Sequence, residues 1–172
     1  IRVLPEYFTL STLVEEVIHS QLILAEKKEV FLHCSIDSGL SVYADPEMVR
    51  LIVRNLVSNA IKFTSKNDSI TIKASTEDTK VVISVIDTGI GMSAEDIDKL
   101  FQLKEHTTYG THNEKGTGLG LILCHEFVEI NGGRIWVESE KEKGSTFYFT
   151  LVTQPEHFPV HLQSKPSVPT AV

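Results

Sequence analysis

Asn55 and Asn59 stand four residues apart, with Lys62 three further on, a spacing that puts two amides and an ammonium on one helix face. Asparagines are poor residues for a helix interior, so a task for their side chains is a reason to find two there. An amide oxygen is a neutral hard ligand suited to a magnesium ion already carrying phosphate charge, and a lysine can neutralise a phosphate oxygen. A solvated polar stripe would read the same way. Further along, Asp87-Thr88-Gly89-Ile90-Gly91-Met92 follows a run of β-branched residues. An ionised carboxylate only accepts hydrogen bonds, so Asp87 suits the exocyclic amine of adenine and would repel the carbonyl of guanine. A plain turn after a strand has the same Asp-x-Gly form. The third cluster is Gly116-Thr117-Gly118-Leu119-Gly120-Leu121, and eight of the chain's ten glycines lie between Gly89 and Gly133. Glycines ahead of a helix let the backbone approach a ligand, and the N–H groups of a helix start favour phosphate. A flexible loop ending would also use them. The cluster is not a Walker loop, because no Gly-Lys-Ser/Thr follows, and it lacks the third glycine and preceding strand of the dinucleotide fingerprint.

Regular elements must position these pieces. Apolar residues at Leu10, Leu13, Val14, Val17, Ile18 and Ala25 predict an amphipathic helix over residues 10–28, with Thr9 as its cap. Val30 to Ile36 reads as a strand and Ser41 to Ala44 as a short extended piece. Asp45-Pro46-Glu47 is a helix start, capped by Asp45 with proline at the first helical position, and this second helix runs to about Phe63. Strands are expected over 69–75 and 80–87, a short helix from a capping box at Ser93, and a third helix over 118–130. Residues 102–117 read as a long polar loop, and Arg134 to Glu140 with Ser145 to Val152 as a hairpin. From Gln154 the prolines at 155, 159, 166 and 169 predict a tail or linker, dividing the chain into 1–153 and 154–172. The order of elements predicts an α/β (α+β) two-layer sandwich, one mixed sheet with helices on one face.

Composition narrows the classes. A length of 172 residues fits one domain with a real core, and 41% apolar with 23% charged residues is ordinary for a soluble protein. A net charge of −7 argues against nucleic acid and anionic membrane as partners. Cys34 and Cys124 have no disulfide or zinc spacing and read as small hydrophobes in a reducing compartment. No apolar run approaches a membrane span, and the start at Ile1 is read as a piece cut from a longer protein.

Taken together, the motifs resemble the GHKL superfamily and, within it, the catalytic domain of sensor histidine kinases. Asn55 to Phe63 looks like that family's N box, Asp87 to Gly91 its G1 box, Phe101 its F-box phenylalanine, Gly116 to Leu121 its G2 box, and Gly144-Ser145-Thr146 its last glycine motif. The resemblance spans roughly residues 6 to 152 and implies the Bergerat ATP-binding fold. By it, Asp87 would bind the adenine amine, with Thr146 helping through water, Gly91 giving the base room, Gly89 also at the nucleotide, and Phe63 beside adenine or ribose. Asn59 would hold magnesium with Asn55 near the ion and phosphates, Lys62 would touch phosphate, and Gly116, Thr117, Gly118, Leu119, Gly120 and Leu121 would cradle the triphosphate. Residues 102–117 would be the ATP lid. After Phe101 the family's acidic-Pro-Phe sequence is replaced by Gln102-Leu103-Lys104-Glu105-His106, which leaves Lys104 and Lys115 as candidate γ-phosphate contacts.

Relatives that hydrolyse ATP, such as gyrase and MutL, carry a glutamate where Asn55 stands, and an amide cannot take a proton from water. An imidazole needs no such base, so a histidine acceptor is favoured over water or a serine hydroxyl. None of the seven histidines sits in a His-Glu-x-x-Arg/Thr-Pro setting. The acceptor is therefore expected on a separate dimerisation domain of the same parent, with a response regulator receiver domain downstream and a cytoplasmic location. An ATP-binding module that signals without transfer is the alternative.

Overall fold

The computed structural model describes residues 1–101 and 120–159. Seven strands and four helices follow in chain order: β1 (Glu6–Thr9), α1 (Leu10–Lys27), β2 (Phe31–Ser35), β3 (Ser41–Ala44), α2 (Pro46–Lys62), β4 (Ser69–Glu77), β5 (Lys80–Asp87), α3 (Ala94–Lys99), α4 (Gly120–Ile130), β6 (Ile135–Glu140) and β7 (Gly144–Val152). The sheet runs β1-β3-β7-β5-β4-β2, with β6 also paired to β7. Pairing of β2 with β4 is parallel and the other described ladders are antiparallel, so the sheet is mixed as expected.

Alternation along the central strands decides which face is covered. Ile70 and Ile72 of β4, Val81, Ile83 and Val85 of β5, and Phe147, Phe149 and Leu151 of β7 are buried on one side. They meet Leu10, Val14 and Val17 of α1, Ile52, Val53, Leu56 and Val57 of α2, and Cys124 and Val128 of α4 in one core. Helices therefore cover a single face, the two-layer arrangement that the order of elements predicts.

The start of α2 is fixed as its sequence dictates. Asp45 Oδ1 accepts from the N–H groups of Glu47 and Met48 at 3.0 and 3.2 Å, while Oδ2 accepts from Leu4 N–H at 2.9 Å. Ser93 and Asp96 form the expected reciprocal capping box at the start of α3. Thr9 differs from expectation. Its side chain makes no cap bond, because the residue belongs to β1 and pairs with Ser41; α1 begins directly off the strand, and Leu10 N–H donates to Leu40 O at 3.0 Å.

The expected tail begins at 154, and its first residues are packed. Pro155–His157 form a 3-10 turn, with proline supplying a suitable φ, and Phe158 is 1% exposed against Tyr43. The rest of the tail, 160–172, lies outside the described residues.

Asn131, read from sequence only as a helix stop, joins α4 to α2. The residue is fully buried; Oδ1 accepts from Asp45 N–H at 2.8 Å, and Nδ2 donates to Phe127 O at 2.7 Å and to Met48 Sδ at 3.4 Å. Asn131→Ala strands the Asp45 N–H without an acceptor, so denaturant unfolding should show a loss of about 2 kcal/mol. A loss below about 0.5 kcal/mol would mean that the tether contributes nothing beyond packing.

Candidate functional site

The site is assembled where the C-terminal end of β5, the last turn of α2 and the turn between β6 and β7 meet. Asp87 ends β5 on its helix-facing side and is 7% exposed. Its Oδ1 accepts from Gly89 N–H at 2.9 Å and Ser145 N–H at 3.3 Å. Among the described residues no hydrogen bond ends on Oδ2, yet that atom is not sealed from solvent. One acceptor atom is thus committed to the backbone and the other is open to a ligand donor. Burial pushes the Asp87 carboxyl up to about 6, the two N–H groups pull the other way, and Asp68 adds to the rise. Ionising Asp87 in the ligand-free fold therefore costs stability: its contribution is intact below the ordinary value of 3.8 and lost as pH rises through about 6. The difference amounts to about 3 kcal/mol, which a donor reaching Oδ2 would offset.

Close backbone approach explains the two glycines after Asp87. A Cβ on Gly89 would collide with Phe63 O, the carbonyl that also accepts from Ile90 N–H at 3.1 Å. Gly91 has φ +64°, and a Cβ there would strike the Glu140 carbonyl. Glu142 N–H donates to Ile90 O at 2.7 Å, so the loop after β5 is pinned between α2 and the β6–β7 turn.

The helix face predicted from spacing is present. Asn55, Asn59 and Lys62 are each partly exposed while Ile52, Leu56, Ala60 and Ile61 point into the core. Lys62 Nζ lies 5.0 Å from the Phe63 ring centre, a cation over an aromatic face. At the start of α4, an added Cβ on Gly120 would come within 3.1 Å of Asn55 Oδ1, so glycine keeps the space beside that oxygen clear. Cys124, one turn on, is buried beside the Asn55 amide, and burial pushes its thiol up to about 12 despite that contact. Two neutral amides, one with its oxygen beside a glycine, fit a hard cation that brings its own phosphate ligands. Among the described residues no cluster of three His, Cys, Asp or Glu side chains stands ready to hold a metal.

One expectation is revised by the placement of its residue, and the others are located on the fold or lie outside the described residues. Thr146 was expected beside Asp87, but the register pairs Thr146 with Ile86 and Ser145 with Asp87, so alternation turns Thr146 to the outer face with Tyr148. Ser145 occupies the inner position. Its hydroxyl lies 2.7 Å from Ser139 Oγ, which donates to Gly144 O at 3.0 Å and accepts from Met92 N–H at 2.8 Å, so the shared hydrogen belongs to Ser145. Strand alternation counted from the buried Phe147 would have found Ser145 in the sequence. Phe101 sits 5.6 Å from the His125 ring of α4, packed at the core's margin. Leu121 is partly buried in α4. Gly116, Thr117, Gly118 and Leu119, with the expected lid and its Lys104 and Lys115, lie outside the described residues.

Residues 44–155 match the sequence family described as histidine kinase-, DNA gyrase B-, and HSP90-like ATPase. The adaptive-response sensory kinase SasA of Synechocystis sp. (strain ATCC 27184 / PCC 6803 / Kazusa) is 34% identical over 144 residues, covering 83% of this chain and 37% of that protein. The chain thus spans little more than a third of that relative's length. The nucleotide-free catalytic domain of histidine kinase ThkA superposes with a TM-score of 0.78 at 31% identity, covering 90% of this chain and 99% of that one. Histidine kinase ThkA in complex with response regulator protein TrrA gives a TM-score of 0.74 at 29% identity, over 90% of this chain and 43% of that one. With the buried carboxylate, the amide-bearing helix and the glycine-lined loop all in place, the chain belongs to this ATPase family and, within it, to the histidine kinase catalytic domains.

Proposed function

We propose that this chain binds ATP with magnesium and presents the γ-phosphate to a histidine on a separate dimerisation domain of a two-component sensor kinase. The observation that supports this reading is the seating of the loop after Asp87, whose carboxylate has an open oxygen, against the end of α2, the helix that carries Asn55, Asn59 and Lys62. Asp87 accepts a hydrogen bond from the adenine amine, and Ser145 rather than Thr146 stands beside it to hold a bridging water. Phe63 lines the base or ribose side, Lys62 faces phosphate, and Asn59 with Asn55 offers amide oxygens to the metal. A magnesium ion bound there supplies charge neutralisation on the phosphates.

Asn55 decides the reaction type. An amide cannot deprotonate water, so the site positions and neutralises rather than activates a nucleophile. A neutral imidazole nitrogen attacks the γ-phosphorus, the bond to the bridging oxygen breaks, ADP leaves with the electron pair, and the imidazole proton passes to solvent. The response regulator bound to ThkA supports a receiver domain as the next acceptor, and we place this chain with it in the cytoplasm. Among the described residues no helix is long and apolar enough to cross a membrane.

Asp87→Asn should weaken ADP binding by about 1–3 kcal/mol, measured by calorimetry. In the parent chain affinity should fall as pH drops below about 6, with proton release on binding near that pH, and the substitution should abolish this dependence. Unchanged affinity would remove Asp87 from the site. Asn59→Ala should leave metal-free ADP binding intact and erase the gain from magnesium, read by paired titrations with and without the metal. Incubated alone with radiolabelled ATP, the chain should form no stable phosphohistidine, whereas adding the dimeric histidine domain of its parent should restore transfer; labelling of the isolated chain would refute a separate acceptor.

A further inference from the structure

Helix α1 ends in a left-handed turn made without glycine. Glu29 takes φ 59°, its N–H donates to Glu26 O at 3.0 Å, and Val30 N–H donates to Ala25 O at 2.9 Å. The preceding residue, Lys28, is only 6% exposed. Its side chain reaches the end of α2, where Nζ donates to Ile61 O at 2.8 Å and to Lys62 O at 2.9 Å. These are carbonyls of the last turn, at the negative end of the helix dipole, where a cation is favoured.

That turn is also where the two halves of the site join. Asn59 and Lys62 project from it, Phe63 follows it, and Phe63 O accepts from Ile90 N–H at 3.1 Å in the loop after Asp87. Thr64, fully buried, adds a hydroxyl bond to Ile61 O at 3.0 Å. Taking an ammonium out of water is costly, and an apolar side chain could pack α1 on α2 without that cost. What the ammonium adds is direction: two carbonyls held in one place. We propose that Lys28 is a positioning residue for the nucleotide site, holding the last turn of α2 in register with the loop that follows Asp87. The proposal rests on the nucleotide-binding reading above. Lys28 touches no ligand; it acts through the backbone of Ile61, Lys62 and Phe63.

Lys28→Met keeps the side-chain stem and removes the donors. In the ligand-free chain, backbone hydrogen exchange at Phe63 and Ile90 should quicken by about tenfold, while Val85 and Phe147 in the central ladder keep their protection. ADP affinity should fall by about tenfold at a temperature where the variant is folded. Val42→Ala, which hollows the core on β3 away from the site, serves as a control for lost stability and should keep its ADP affinity. Should Lys28→Met fail to fold, Lys28→Gln, with a shorter neutral donor, carries the same comparison and should show a smaller change in the same direction. Unchanged exchange at Phe63 and Ile90, an ADP affinity equal to the parent's, or an equal loss in Val42→Ala would overturn the proposal. A parent chain that binds no ADP would instead remove the nucleotide-binding reading itself.

Discussion

A single buried oxygen organises this molecule. Asp87 Oδ1 takes N–H groups from both Gly89 and Ser145, so one carboxylate ties the loop after β5 to the start of β7. The tie works only if three backbones crowd together: the end of α2 against Gly89, the Glu140 carbonyl against Gly91, and the β6–β7 turn against Asp87. Such crowding explains why glycines gather here, and the burial that comes with it pushes the carboxyl up to about 6 while leaving one oxygen open. The ladders between β4 and β5 and between β5 and β7, each eight residue pairs long, hold in place the end of β5 that carries Asp87.

Helix α2 carries the second constraint, because one helix must serve two environments. Its inward side, from Val49 through Ile52, Val53, Leu56 and Val57 to Ala60, is sealed in the core. That burial fixes the rotation of the helix, and rotation fixes where Asn55, Asn59 and Lys62 point. Both ends are anchored by polar side chains from elsewhere: Asp45, itself held by Asn131, at the start, and Lys28 at the finish. Ligand sites tolerate little slack in the groups that line them, so a helix pinned at both ends is a suitable support.

Much of this was legible in the chain itself, for reasons that differ by element. Asp45-Pro46 and Ser93 through Asp96 announce their helix starts because capping is a local interaction, and β5 announces itself by an apolar run broken only by Ser84. Strand β1 escaped notice since it has only four residues, of which Phe8 alone reaches the core, and exists only through pairing with β3, some 35 positions away. The same blindness made Thr9 look like a cap. Thr146 was preferred to Ser145 on motif resemblance, and a one-residue offset in a strand reverses the face. Lys28 and Asn131 looked like ordinary residues at helix ends; their roles depend on the partner helix, which no local pattern encodes.

The two extremities of the folded unit meet along one side of the sheet. Tyr7 donates its hydroxyl to Gln154 Oε1 at 2.8 Å, and the rings of Tyr7, Tyr43 and Phe158 abut in sequence. Tyr43 pairs with Val152, seven positions along β7 from Ser145, so this margin stands about 23 Å from the pocket. A pull exerted at Tyr7 or Gln154 would therefore act on the body at a margin remote from the pocket. Swinging the body through about 20° around that side would carry the pocket along an arc of roughly 8 Å without bending a strand. Such a rotation would leave the pocket's internal geometry untouched.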